Sequence, residues 1–337
     1  MPAFEFHPQP KAELHVHLRG AIPPSFLGKM LRKYPPTEAL AKAPERHLRL
    51  FNNQANIRTV IAGEYDQDAL FRYDTFDEFL YTYFFTSYFV RTIDDFRGLI
   101  EAVREQLHQE NIVYAEVTVS LIEYVSQGIP LEALLEALAE EPATPPKVRW
   151  IVDLVRNIGH QAAEGLLDRI IQRRPENLVA ITLGGAEHLF PPAPFEKVFA
   201  KARENGLKLT VHAGEALGAE SVWDALRILK VDRIGHGVRS IEDPSLVAYL
   251  ADRQIALEIC PTGNISTGVY SSYAEHPVRK LFEGGVPITI STDDPTFFRV
   301  TLSQELSALK SLGFSTDEIQ GLIDNSFRYA FSDATAL

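Results

Sequence analysis

The sequence predicts an α/β protein: a single (β/α)8 TIM-type barrel with a helical insertion after its first strand. Three observations lead there. Eight short, β-branched apolar runs alternate with longer segments whose apolar residues recur every three or four positions. No glycine-rich turn follows the first run, as an open dinucleotide-binding sheet would require. Histidines and acids also gather at the carboxyl ends of the runs, the rim where such barrels carry their chemistry.

The first run, "AELHVHL", alternates strictly, so Glu13, His15, His17 and Arg19 fall on one face and Leu14, Val16 and Leu18 on the other. Residues 34–90 break the pattern and are too long for an ordinary connection. Their aromatic half, "DTFDEFLYTYFFTSYF", places Phe76, Phe79, Leu80, Tyr83 and Phe84 on one helix face. That face is either buried core or a flap over the barrel mouth. The remaining strands are expected at 112–120, 148–155, 178–185, 207–215, 232–237, 255–260 and 286–292. Segments such as "IDDFRGLIEAVREQLHQEN" and "LEALLEALAEE" supply the helices between them. Proline-rich stretches at 141–146 and 190–194 read as loops, so residues 1–337 are taken as one domain.

Bulk composition narrows the function classes. With 33 basic and 45 acidic residues the formal charge is −12, which disfavours nucleic acid or an anionic membrane as a partner. The single cysteine, Cys260, excludes an internal disulfide and suits a reducing compartment. No secretion signal opens the chain, and its greasiest run is far short of a bilayer span, so a cytoplasmic location is expected.

The strand ends carry His15 and His17 (first), His212 followed by Glu215 (fifth), His236 (sixth), and Asp293 and Asp294 (eighth). Imidazole and carboxylate together suit Zn²⁺ or another borderline divalent ion. His15, His17, His212 and Asp293 read as ligands to one such ion, with room left for water.

"PKAELHVHLRGAI", "VHAGE", "RIGHG", "CPTGNISTG" and "STDDP" resemble, in order, the successive motifs of the adenosine deaminase family of the amidohydrolase superfamily. The resemblance runs from residue 10 to 295 and implies the same four ligands. It also implies Glu215 as proton donor, His236 as the residue that orients or deprotonates the nucleophilic water, and Asp294 as a purine-contacting acid. "LGGAE" matches a loop whose glycine amide meets the purine, here Gly185. The fourth strand, "LVAITLGGAEH", lacks the lysine that bridges two metals in many amidohydrolases, so one ion per chain is expected. A cytidine-deaminase site would need P-C-x-x-C, which "ICPTG" does not supply.

Arg19 departs from the family pattern. Adenosine deaminases resemble this strand but carry aspartate there, and adenine-deaminating relatives tend to carry glutamate. Arginine only donates, and prefers a carboxylate or phosphate. The expected substrate is therefore a purine nucleoside with an anionic 5′ substituent, 6-amino-6-deoxyfutalosine of menaquinone biosynthesis being the favoured one. Adenosine and adenine are the alternatives within the family. Arg19 could instead pair with a neighbouring acid such as Glu13 or one from the flap. A non-catalytic nucleoside-binding barrel would have lost a ligand or Glu215, and this chain keeps all of them.

Overall fold

The structure, a computed structural model, describes residues 6–41, 43–73, 75–141, 144–332 and 334. Among these residues nine strand segments occupy the eight expected places: β1 (Lys11–His17), β2 (Ile112–Val119), β3 (Lys147–Asp153), β4 (Leu178–Thr182), β5 (Lys208–Leu209), β6 (His212–Ala213), β7 (Ile234–His236), β8 (Leu257–Ile259) and β9 (Ile288–Ile290). All pairings are parallel, β1 through β5 in one sheet and β6 through β9 in the next.

The expected fifth strand is thus divided between β5 and β6 at Thr210 and Val211. Main-chain bonds still cross the break: Thr210 N–H donates to Ile181 O at 3.0 Å, and Gly235 N–H to Val211 O at 2.8 Å. At the other seam Val16 bridges Asp293. Asp293 N–H donates to His15 O at 3.0 Å, and His17 N–H to Asp293 O at 2.9 Å. This second seam brings the ends of the first and last strands side by side.

Strands of a parallel sheet are covered on both faces, and their sequences are correspondingly apolar. Leu14, Val16, Ile181, Leu257 and Ile288 are all fully buried. The helix Ile93–Gln109 starts at a capping box made by Thr92 and Asp95, and buries Phe96, Leu99, Val103 and Leu107 at helical spacing. Buried side chains from Phe6 to Ile323 form one continuous apolar cluster.

Residues 34–90 hold a series of short helices, the longest Phe76–Thr86, closed by a 3-10 turn at Ser87–Phe89. The expected aromatic face is only partly right. Phe79 is buried, Leu80 and Tyr83 are half-buried, and Phe84 is 44% exposed while its neighbour Phe85 takes the interior place. The Phe76 side chain lies outside the described residues. The helix rests on the segment that follows β9: Phe79 stacks 5.0 Å from Phe298, and Tyr83 lies 5.2 Å from Phe297.

Candidate active site and metal centre

Strand alternation and the β1–β9 seam decide where the ionisable groups meet. His15 and His17, two residues apart on β1, both reach Asp293 at the end of the last strand: their Nε2 atoms lie 3.5 Å and 3.3 Å from Asp293 Oδ1. His212 opens β6, its ring 4.7 Å from that of His15 and 5.3 Å from that of His17. One donor atom from each of these three histidines falls within 4.8 Å of the others.

These separations fit a single ion. Tetrahedral ligands at about 2.0–2.1 Å from Zn²⁺ stand roughly 3.3–3.4 Å apart. The state of His15 fits as well. Its Nδ1 is tied 2.7 Å from Glu258 Oε2, while its buried Nε2 has no hydrogen-bond partner. A histidine anchored by one nitrogen and unsatisfied at the other has the form of an oriented metal ligand.

His236 closes the opposite side. Its ring is 5.0 Å from those of His15 and His212, and its Nε2 is 3.5 Å from Glu215 Oε2. Both His236 and Asp293 have positive φ, 60° and 63°, conformations that side-chain-bearing residues rarely adopt and that concentrate at functional sites.

Burial sets the charge states. Burial, reinforced by Asp293 and Glu187, pushes the Glu215 carboxyl up to about 8, so it holds its proton at neutral pH. Burial pushes His236 down to about 3, leaving the ring neutral. Burial and the charge of Asp293 raise the Asp294 carboxyl to about 7. Burial pushes the Asp293 carboxyl up, but the imidazoles of His15, His17 and His236 packed around it outweigh that and hold it well below the usual range.

Asp294 stands before the short helix Pro295–Phe298 but does not cap it, and its buried Oδ1 is unpartnered. Gly20 makes room for it: a Cβ there would lie 1.8 Å from Asp294 Oδ1. Gly185 has φ +97°, and a Cβ on it would meet Asn157 Oδ1 at 2.2 Å, so glycine is required for two reasons. It sits in an exposed loop whose flank is fixed by Ala186 N–H donating to Asn157 Oδ1 at 2.9 Å.

Arg19 lies beyond β1, not on it. The chain turns after His17, with Ala21 N–H donating to His17 O at 2.9 Å. The Arg19 guanidinium is buried, pairs with Glu123 from the helix Leu121–Ser126, and lies 4.5 Å over the Tyr83 ring of the insertion. Its partner is thus neither Glu13 nor an acid of the flap. Glu13 accepts bonds from the N–H and hydroxyl of Thr292 instead.

Three positioning acids were missed from the sequence. Glu258 holds His15 and is held by Arg233 at 2.6 Å, which also reaches Glu116. Glu187 accepts from the N–H groups of Gly214, Ala216 and Leu217, fixing the loop that carries Glu215. Glu123 occupies Arg19. Glu258 left a signal as a lone carboxylate inside the apolar run "IALEIC", and Glu187 as the acid that ends "LGGAE".

The barrel and this mouth define an amidohydrolase, and the comparisons agree. A profile described as adenosine deaminase matches residues 10–336. A curated aminodeoxyfutalosine deaminase of Streptomyces avermitilis is 34% identical over 96% of this chain and 87% of its own. A curated adenine deaminase of Sinorhizobium medicae is also 34% identical, over 96% and 94%. Among solved structures, an adenine deaminase from Arthrobacter aurescens superposes with a TM-score of 0.82 at 26% identity, covering 96% of this chain and 94% of that one. A Zn-bound amidohydrolase from Burkholderia ambifaria gives 0.76 at 25% identity, covering 98% and 87%. The chain belongs to the adenosine deaminase family and is, by that membership, a hydrolytic deaminase. Among the described residues no helix is long and apolar enough to cross a membrane.

Proposed function

We propose that this protein hydrolyses the 6-amino group of a purine whose 5′ side carries an anion, 6-amino-6-deoxyfutalosine being the preferred substrate. The observation that carries the chemistry is the convergence of His15, His17, His212 and Asp293 beside the carboxyl of Glu215, which burial pushes up. Those four would hold one divalent ion, for which Zn²⁺ suits the donor set. When bound, the ion supplies the Lewis acidity that makes water nucleophilic near neutral pH.

Each remaining residue has one task. Glu215 gives its proton to purine N1, which makes C6 electrophilic. His236 orients the water that attacks C6. Asp294 shares a proton with N7, and Gly185 N–H donates to N3. Oxygen from water replaces the amino nitrogen, ammonia leaves, and a 6-oxopurine remains. The insertion, through Tyr83 and Phe79, covers the purine and excludes bulk water.

Arg19 supports the anionic substrate. Among the described residues its buried guanidinium is ion-paired with Glu123 alone, and Glu123 is 27% exposed, so a substrate carboxylate can take its place. The same pair favours a second reading. With Glu123 already neutralising Arg19 the far end of the site needs no ligand, which suits bare adenine. Ammonia release from 6-amino-6-deoxyfutalosine, adenine and adenosine, compared by kcat/KM, separates the two. The first reading expects the carboxylated nucleoside to lead, and a clear lead for adenine would replace it with the second.

A further inference from the structure

A buried line of polar groups runs from a main-chain amide to His236. Val278 N–H donates to His276 Nδ1, His276 Nε2 faces Asn264 Oδ1, and Asn264 Nδ2 faces His236 Nδ1, each at 3.2 Å. Asn264 is fully buried and His276 nearly so. Neither has a task in the reaction as described above.

The polarity of this line can be read from its first member. A main-chain N–H can only donate, so His276 Nδ1 must accept. Burial pushes His276 down to about 4, which leaves the ring neutral with its one proton on Nε2. That proton is donated to Asn264, whose carbonyl oxygen must therefore face His276. The orientation of an amide is otherwise ambiguous, and here the network fixes it. The Asn264 NH₂ is then turned to His236, so His236 Nδ1 accepts and the ring proton sits on Nε2. That nitrogen faces Glu215 at 3.5 Å.

We infer that Asn264 and His276 are positioning residues that lock His236 in its Nε2–H form, making it a hydrogen-bond donor in the site and not a base. A ring nitrogen that already carries a proton cannot accept one. The proton that the attacking water gives up must therefore pass to a carboxylate of the site. The role toward water rests on the deaminase reading, but the tautomer does not.

The test is ¹⁵N NMR of the histidine side chains in zinc-loaded protein, with the His236 signals assigned by their loss in His236→Gln. The expected result is a protonated Nε2 and an unprotonated, hydrogen-bonded Nδ1. Asn264→Asp keeps the acceptor for His276 but replaces the donor to His236 with a second acceptor, and should move the proton to Nδ1. The same variant should lower kcat by roughly 10²- to 10³-fold, as for loss of one preorganised donor, with KM little changed. Wild-type protein with the proton on Nδ1 would overturn the inference without variants. A variant that keeps it on Nε2 would do the same. Absence of deaminase activity with the expected tautomer would instead count against the functional reading alone.

Discussion

Glu258 Oε2 lies 2.7 Å from His15 Nδ1, across 243 residues of sequence, and leaves His15 Nε2 as the nitrogen that faces the site. The same carboxylate is gripped by the buried Arg233. One acid therefore orients a candidate ligand and pairs with a buried cation at once.

Replacing it should separate metal affinity from fold. Glu258→Gln keeps the shape but weakens the bond to His15, and loss of such an outer partner typically costs about 10- to 100-fold in metal affinity. Competition with a zinc chelator measures this. Unchanged affinity would mean that Glu258 serves Arg233 and not His15.

Glu215→Gln should retain zinc and lose catalysis by several orders of magnitude. The amide cannot supply the N1 proton, and the four ligands are untouched. Activity within tenfold of wild type would remove Glu215 from the role of essential acid.

At Arg19 the expected effect depends on the substrate. A charge-assisted hydrogen bond to a desolvated carboxylate is worth roughly 1.5–3 kcal/mol, or about 10- to 150-fold in kcat/KM. Arg19→Ala should cost that much with 6-amino-6-deoxyfutalosine and far less with adenine. Equal losses on both would show that the pair with Glu123 is structural.

Gly20→Ala should displace Asp294, since the new methyl would lie 1.8 Å from its Oδ1. Purine binding should weaken by about 10- to 100-fold, the scale of one hydrogen bond to a charged group. Unaltered kcat/KM would exclude Asp294 from purine contact.

Glu305 offers a stability test away from the chemistry. Burial raises its carboxyl from 4.5 to about 8, and among the described residues its Oε2 has no partner. Between those values the folded state binds more protons than the unfolded state, so this residue makes stability fall as pH rises through the window. Glu305→Gln should therefore gain in Tm relative to wild type on going from pH 5 to pH 8. A Tm difference that stays constant across that range would show that Glu305 does not titrate as its burial requires.

The candidate ligand cluster was legible because it depends on local rules. Period-two alternation puts His15 and His17 on one face of one strand, and the barrel places every strand end on one rim. That argument reaches Glu215, His236, Asp293 and Asp294 with no knowledge of packing. The same local rule overran at Arg19, which lies past the strand in a turn that alternation does not register. Helical periodicity erred likewise at Phe84, where the helix presents Phe85 to the core instead. Partners were not legible at all. Glu258 for His15, Glu123 for Arg19, Glu187 for the Glu215 loop, and Asn264 with His276 for His236 are set by which strands and loops become neighbours when the barrel closes. A side chain's type and face are fixed by the chain around it, whereas the group it touches is chosen by contacts between segments that the sequence keeps far apart.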